Sequence, residues 1–131
     1  MKIIILGCGR VGSALAKYFF DQGYQVSVID SNQDALQGLV DSEFSGTLVK
    51  GYGEDQDKLR AAGATGADLF IAVTDSDNIN IFSAEVAVKE FKVKRAIARV
   101  DDQVKAGLFI AYGIETVSPV ELTISKIQQM V

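Results

Sequence analysis

The chain has 131 residues, 48% of them hydrophobic and 23% charged, a composition that suits one domain with a buried core and excludes a disordered polypeptide. Its 13 basic residues against 17 acidic ones leave a net charge of −4, which opposes broad binding along a nucleic-acid backbone. No apolar run approaches the roughly 18–20 residues of a membrane span, the single cysteine cannot form an internal disulfide, and the lack of histidine removes the commonest general base.

In chain order, Lys2–Leu6 is a short β-branched run that reads as a strand, followed by helical periodicity from about Arg10 to Gln22. Gly23 is placed to close that helix in a left-handed conformation. Tyr24–Asp30 reads as a second strand, after which Ser31 or Asn32 caps a helix to about Glu43, with Leu36, Leu39 and Val40 expected on its inner face. Thr47–Lys50 is a third strand, and 51–57 a loop and helix start that ends near Gly63. The alternation then continues with a buried strand at Leu69–Val73, a helix from Asp75 or Ser76 to Phe91, a strand at Ala96–Val100, a helix over Asp101–Tyr112 and a strand at Ile114–Val117. Pro119, the one proline, fits the first turn of a last helix over Val120–Val131. Strands alternating with helices predict an α/β fold: a doubly wound, parallel six-stranded sheet of Rossmann type, order 3-2-1-4-5-6, in a single domain over 1–131.

Gly7-Cys8-Gly9-Arg10-Val11-Gly12 has the form G-x-G-x-x-G. Glycine-rich turns are common, but this one leaves a hydrophobic strand, opens an amphipathic helix and is followed by Asp30 at the end of the next strand, which is the context a dinucleotide fingerprint requires. Gly7 permits the tight turn, Gly9 lets a pyrophosphate approach the backbone, and Gly12 lets the helix pack closely on the sheet. The helix terminus offers free N–H groups and partial positive charge to phosphate. Asp30 is expected to accept hydrogen bonds from both ribose hydroxyls. Arg10 opposes the helix dipole unless an anion is present, so it reads as a phosphate contact, the alternative being a partner of Glu54 or Asp55. Cys8 has two readings, a thiol acidified by the helix terminus or simply a small residue.

Ligands of such sheets lie outside the carboxyl ends of the strands. Gly51 and Tyr52 follow the third strand, where Tyr52 offers a stacking face for adenine. Thr74, Asp75 and Ser76 follow the fourth and either cap the next helix or touch ribose and phosphate. Arg99 is a second anion contact or the partner of Asp101 and Asp102, and Glu121 holds a cation near phosphates or faces solvent. The expected cofactor-binding set is Gly7, Gly9, Arg10, Val11, Gly12, Asp30, Ser31, Gly51, Tyr52, Thr74 and Arg99, with no catalytic or metal-binding residue.

Taken together, KIIILGCGRVGSALA, VSVID, VKGYGED, AAGATGADLFIAVTDSDNIN, AIARVDD and ETVSPVEL resemble the N-terminal nucleotide-binding domain of TrkA-like potassium-uptake regulators, also called KTN or RCK domains. The discriminating stretch holds Gly63, Ala67, Asp68, Thr74, Asp77 and Asn80. Two positions depart from the family pattern: Tyr52 replaces a frequently polar residue, and Pro119-Val120-Glu121 spaces the family's Pro-Glu pair by one residue. The resemblance implies a regulatory subunit or domain rather than an enzyme. It would be cytoplasmic, assembled as a homo-oligomeric dimer or ring beneath a membrane potassium transporter or channel, with NAD(H), ATP, ADP or AMP biasing gating. Longer members continue into an effector-binding lobe, so the chain is expected to be a single-domain subunit or a fragment. The competing reading is the NAD-binding half of an oxidoreductase whose substrate domain lies on another chain.

Overall fold

In the computed structural model, which describes residues 1–109 and 113–131, six strands form one parallel sheet in the order β3-β2-β1-β4-β5-β6. The strands are β1 (Lys2–Leu6), β2 (Gln25–Asp30), β3 (Thr47–Lys50), β4 (Leu69–Ala72), β5 (Ala96–Arg99) and β6 (Ile114–Val117). Between and after them come α1 (Arg10–Asp21), α2 (Gln33–Asp41), α3 (Gln56–Ala61), α4 (Asp77–Lys89), α5 (Gln103–Phe109) and α6 (Pro119–Met130). This is the topology expected from the alternating pattern. The end of the fifth predicted helix, at Tyr112, lies outside the described residues.

Side chains on a strand alternate between faces, so the continuous apolar run of β1 feeds two cores. Ile3 and Ile5 pack with Val26, Val28 and Ile71 under α1 and α2, contributing Ala16, Leu36 and Leu39. Ile4 and Leu6 pack with Phe70 and Ala72 against α3 and α4, through Leu59, Ile81, Ala84 and Ala87. Small residues dominate that second layer, which lets α4 lie close on β4 and β5. β3 sits at the edge and is only half-buried, with Thr47 and Lys50 exposed.

Val40 corrects one expectation: it is 48% exposed. At 100° per residue, the inner face is centred between Ala35, Leu36 and Leu39, and Val40 falls at its margin. The predicted strands Tyr24–Asp30, Leu69–Val73 and Ala96–Val100 each lose one terminal residue, which lies just outside the strand. α6 is capped by Ser118 and has Pro119 in its first turn as expected, but it buries none of its residues. Among the described residues, no helix is long and apolar enough to cross a membrane.

Candidate functional site

The turn out of β1 is built from glycines for two reasons visible in the geometry. Gly7 has φ of +107°, a conformation that side chains disfavour, and its N–H donates to the Ile29 carbonyl at 2.9 Å. A Cβ at Gly12 would overlap the carbonyl oxygen of Gly7. Gly12 therefore lets α1 pack on the glycine turn itself, with Val73 behind it, rather than on the sheet in general. Gly9 differs from both, because a Cβ there would have no neighbour within 4 Å. It faces open space at the start of α1.

That start carries no side-chain cap. The other helices are closed by a side chain in each case. Asn32 accepts from Asp34 and Ala35, Asp55 from Asp57, Ser76 from Ile79, Asp102 from Val104 and Lys105, and Ser118 from Glu121. Among the described residues, α1 alone presents its first-turn amides without such a partner, so its terminal partial charge is left for an anion. Arg10 occupies the first helical position, is exposed, and forms no ion pair among the described residues; the alternative pairing with Glu54 or Asp55 is absent, and Asp55 caps α3 instead.

Asp30, at the end of β2, is fixed by backbone donors on both oxygens: the Cys8 N–H at 2.6 Å and the Asn32 N–H at 2.7 Å. The carboxylate thus ties the glycine loop to the start of α2. Each oxygen retains a lone pair for a further donor. Cys8 is buried and its thiol donates to the Ala35 carbonyl at 3.4 Å. Burial pushes the thiol pKa up, the Asp30 charge pushes it the same way, and Lys17 only partly opposes them. Burial and the Asp30 charge both oppose the acidified-thiol reading, and Cys8 sits as a small buried residue in the core under α1 and α2.

These elements line a cleft of about 370 Å³ across the carboxyl ends of β3, β2, β1 and β4. Of the expected set, Gly7, Gly9, Asp30, Ser31, Gly51, Tyr52 and Thr74 reach its wall. Tyr52 is 65% exposed there, with its ring free of other aromatic contacts among the described residues. Arg10, Val11, Gly12 and Arg99 are not in the wall. Val11 is exposed on the outer side of α1, and Gly12 is covered by the loop it supports. Arg99 is drawn aside by Asp101 at 3.3 Å and Asp75 at 3.9 Å. Glu121 lies exposed on α6, away from the cleft.

Sequence reasoning singled out Asn80 and Asp77 only as family-pattern positions, without a structural role, and missed Ser83; these residues hold the cleft in shape. Asn80 is fully buried. Its carbonyl oxygen accepts from the Thr74 N–H at 2.9 Å and the Thr74 hydroxyl at 2.6 Å, while its amide donates to the carbonyls of Thr74 and Arg99 at 3.0 and 2.9 Å. Thr74 is thus locked rather than free to cap a helix, and Ser76 is the cap of α4. The Asp77 carboxylate accepts from the Asp101 and Asp102 amides at 3.1 and 3.0 Å. Burial acts to raise the Asp77 pKa, but those amides, with Lys105 and Arg99, outweigh it and hold the carboxyl below its ordinary range. The Ser83 hydroxyl donates to the Gly53 carbonyl at 2.9 Å, pinning the loop after β3. The signal that would have found Asn80 and Ser83 is a pair of polar residues at helical spacing within the buried stripe Asn80, Ser83, Ala84, Ala87.

The sequence model of the TrkA-N domain matches residues 3–119. The chain belongs to the TrkA-N family. One curated relative of this TrkA-N chain is the Trk system potassium uptake protein TrkA of Streptomyces coelicolor, 46% identical over 123 residues, covering 94% of this chain and 55% of that protein. The chain thus spans about half the length of that relative. Among solved structures, the TrkA-N domain of the inner membrane protein ybaL from Escherichia coli superposes with a TM-score of 0.88 at 16% identity, covering 99% of this chain and 96% of that one. The Shewanella denitrificans Kef CTD in AMP-bound form superposes with a TM-score of 0.75 at 24% identity, covering 99% and 81%. At these identities the two structures establish that the TrkA-N fold is shared.

Proposed function

We propose that this TrkA-N chain is the nucleotide-sensing part of a cytoplasmic regulator of membrane potassium uptake, and that it binds an adenine nucleotide in the cleft between the glycine loop and Asp30. The observation that carries the reading is the uncapped start of α1, opening beside the unobstructed Gly9 and across from a carboxylate already oriented by two amides. Phosphate would take the free amides with Arg10 at the rim, ribose would take the remaining lone pairs of Asp30, and Tyr52 would flank the base. Thr74 and Ser31 would border the ligand; Gly51 would shape the wall. Val11, Gly12 and Arg99 would act through the loop and the neighbouring strand. The relative from Streptomyces and the AMP-bound neighbour support this assignment.

A regulatory rather than catalytic role is supported by the curated relative, a protein of a potassium uptake system. A ligand shifts a regulator only by binding its states unequally, so nucleotide must favour one arrangement of neighbouring subunits. A homo-oligomer is supported by the apolar stripe Val120, Ile124, Ile127 and Val131, exposed along and just beyond α6, and by exposed Phe82 and Leu108 on α4 and α5. The transporter or channel subunit would contact that assembly.

Calorimetric titration with AMP, ADP, ATP, NAD+ and NADH tests the site. Heat and a raised melting temperature with at least one of them are expected; neither with any would overturn the reading. Light scattering with and without the bound ligand tests the assembly, and NADH absorbance held steady across a substrate screen tests the non-enzymatic role.

A further inference from the structure

Three carboxylates stand in the wall of the cleft, those of Asp30, Glu54 and Asp75, and no lysine or arginine does so among the described residues. Asp30 is committed to two backbone amides. Glu54 and Asp75 are exposed and have no such partners; Glu54 forms no hydrogen bond or ion pair among the described residues. They flank the glycine loop from opposite sides, one beyond β3 and the other beyond β4. The cation beside Asp75 is Arg99, at 3.9 Å, and the same guanidinium lies nearer Asp101, at 3.3 Å. One positive charge is divided between two negative ones, so this corner remains acidic.

Phosphate at the loop would therefore rest on partial charges, the α1 amides and helix terminus, with Arg10 as one exposed cation outside the wall. Each further phosphate adds whole negative charge to a cleft whose wall holds Glu54 and Asp75 and, among the described residues, no lysine or arginine, with Arg10 left at the rim to offset it. We propose that Glu54 and Asp75 are specificity determinants that make the cleft a charge filter, favouring NAD+ over NADH and over metal-free ATP. The inference rests on the nucleotide reading above and chooses among its ligands.

NAD+ carries the least negative charge of the adenine ligands in question, because its phosphates bridge two sugars and its nicotinamide ring is cationic. With the adenosine ribose at Asp30 and the phosphates at the loop, its second half runs toward β4, where Thr74, Asp75 and Ile79 form the wall. Asp75 would attract the cationic ring, an attraction that the neutral reduced ring forgoes. A triphosphate extending from the same loop meets that carboxylate with its terminal group, and a divalent cation would offset the repulsion.

The test is calorimetry of the chain and of Glu54→Gln, Asp75→Asn and the double variant. NAD+, NADH, AMP and ATP are titrated in EDTA, and ATP again with Mg2+. In the parent chain NAD+ should bind more tightly than NADH, and ATP in EDTA more weakly than either. Each single substitution should strengthen ATP binding in EDTA by roughly threefold and the pair by roughly tenfold, the scale of exposed charge interactions. Asp75→Asn should also shrink the preference for NAD+ over NADH. Because repulsion between exposed charges is screened, raising salt should narrow the gap between NAD+ and ATP. Tightest binding by ATP in EDTA, or a ranking unmoved by the double variant, would overturn the filter while leaving the nucleotide site standing. Absence of heat with every ligand would remove the site and the filter together. Both side chains are exposed, and unchanged melting temperatures would separate a ligand effect from a folding effect.

Discussion

Two strand–loop–helix turns face each other across the cleft, β1–α1 and β4–α4, and they are closed in opposite ways. The first is glycine-built, and its helix begins without a side-chain partner. The second is sealed by side chains: Ser76 caps α4, and Asn80 holds Thr74 and the end of β5 through four hydrogen bonds. Asp77 adds the loop after β5 to the same unit. One helix start has no side-chain acceptor for its amides, and the other has Ser76 accepting from Ile79. The fold repeats a motif, but the side chains at the helix start decide which copy leaves its first-turn amides without a cap and which one braces the sheet.

The sharpest way to break the open turn is Gly12→Val. Its side chain would overlap the Gly7 carbonyl oxygen, so α1 must move away from the loop. A stability loss of about 3 kcal/mol is expected from overpacking of this kind, together with loss of nucleotide binding. Urea denaturation and calorimetry on the same sample would read both. The sealed turn is broken by Asn80→Ala, which strands buried groups on Thr74 and Arg99. A loss of about 2 kcal/mol in urea denaturation is expected, the range for orphaned buried polar atoms. A variant as stable as the parent would show that water replaces the lost bonds.

Asp30→Ala bears on the open side again, with a smaller effect. It removes the proposed ribose acceptor and frees the Cys8 N–H, and binding should weaken by about 1–3 kcal/mol in calorimetry. The smallest effect belongs to pH. The folded Asp77 carboxyl titrates below its ordinary value, so its contribution is complete above the unfolded pKa of about 3.9 and is lost as pH falls through the lower folded one. Asp77→Asn should therefore flatten the fall in stability below about pH 4, measured by thermal melts across that range. An unchanged profile would mean that the two amides are held without the charge.

Much of the open turn was legible because its signals are local. A glycine triplet between a β-branched run and a helical period, followed by an acid ending the next strand, marks the loop and Asp30 without any tertiary information. The sealed turn was not, since Asn80 matters through Arg99 and Thr74, and Asp77 through Asp101 and Asp102. Those partners meet only after β4 and β5 pair. Of the two readings of Arg99, pairing with Asp101 is the one present in the structure, while Asp75 is a neighbour that local sequence did not offer. Cys8 shows a competition rather than a missing contact: the helix terminus was evident, but burial beneath Ala35 set the direction of the thiol's pKa.

The sequence by itself determined the order of elements, the parallel sheet and the phosphate-type turn, because periodicity and glycine placement act within a few residues along the chain. Tertiary structure alone decided which helix start remains uncapped, which carboxylates wall the cleft and that Asp75 shares Arg99 with Asp101. Those outcomes depend on side chains brought together by strand pairing, and short-range pattern carries no record of such distances.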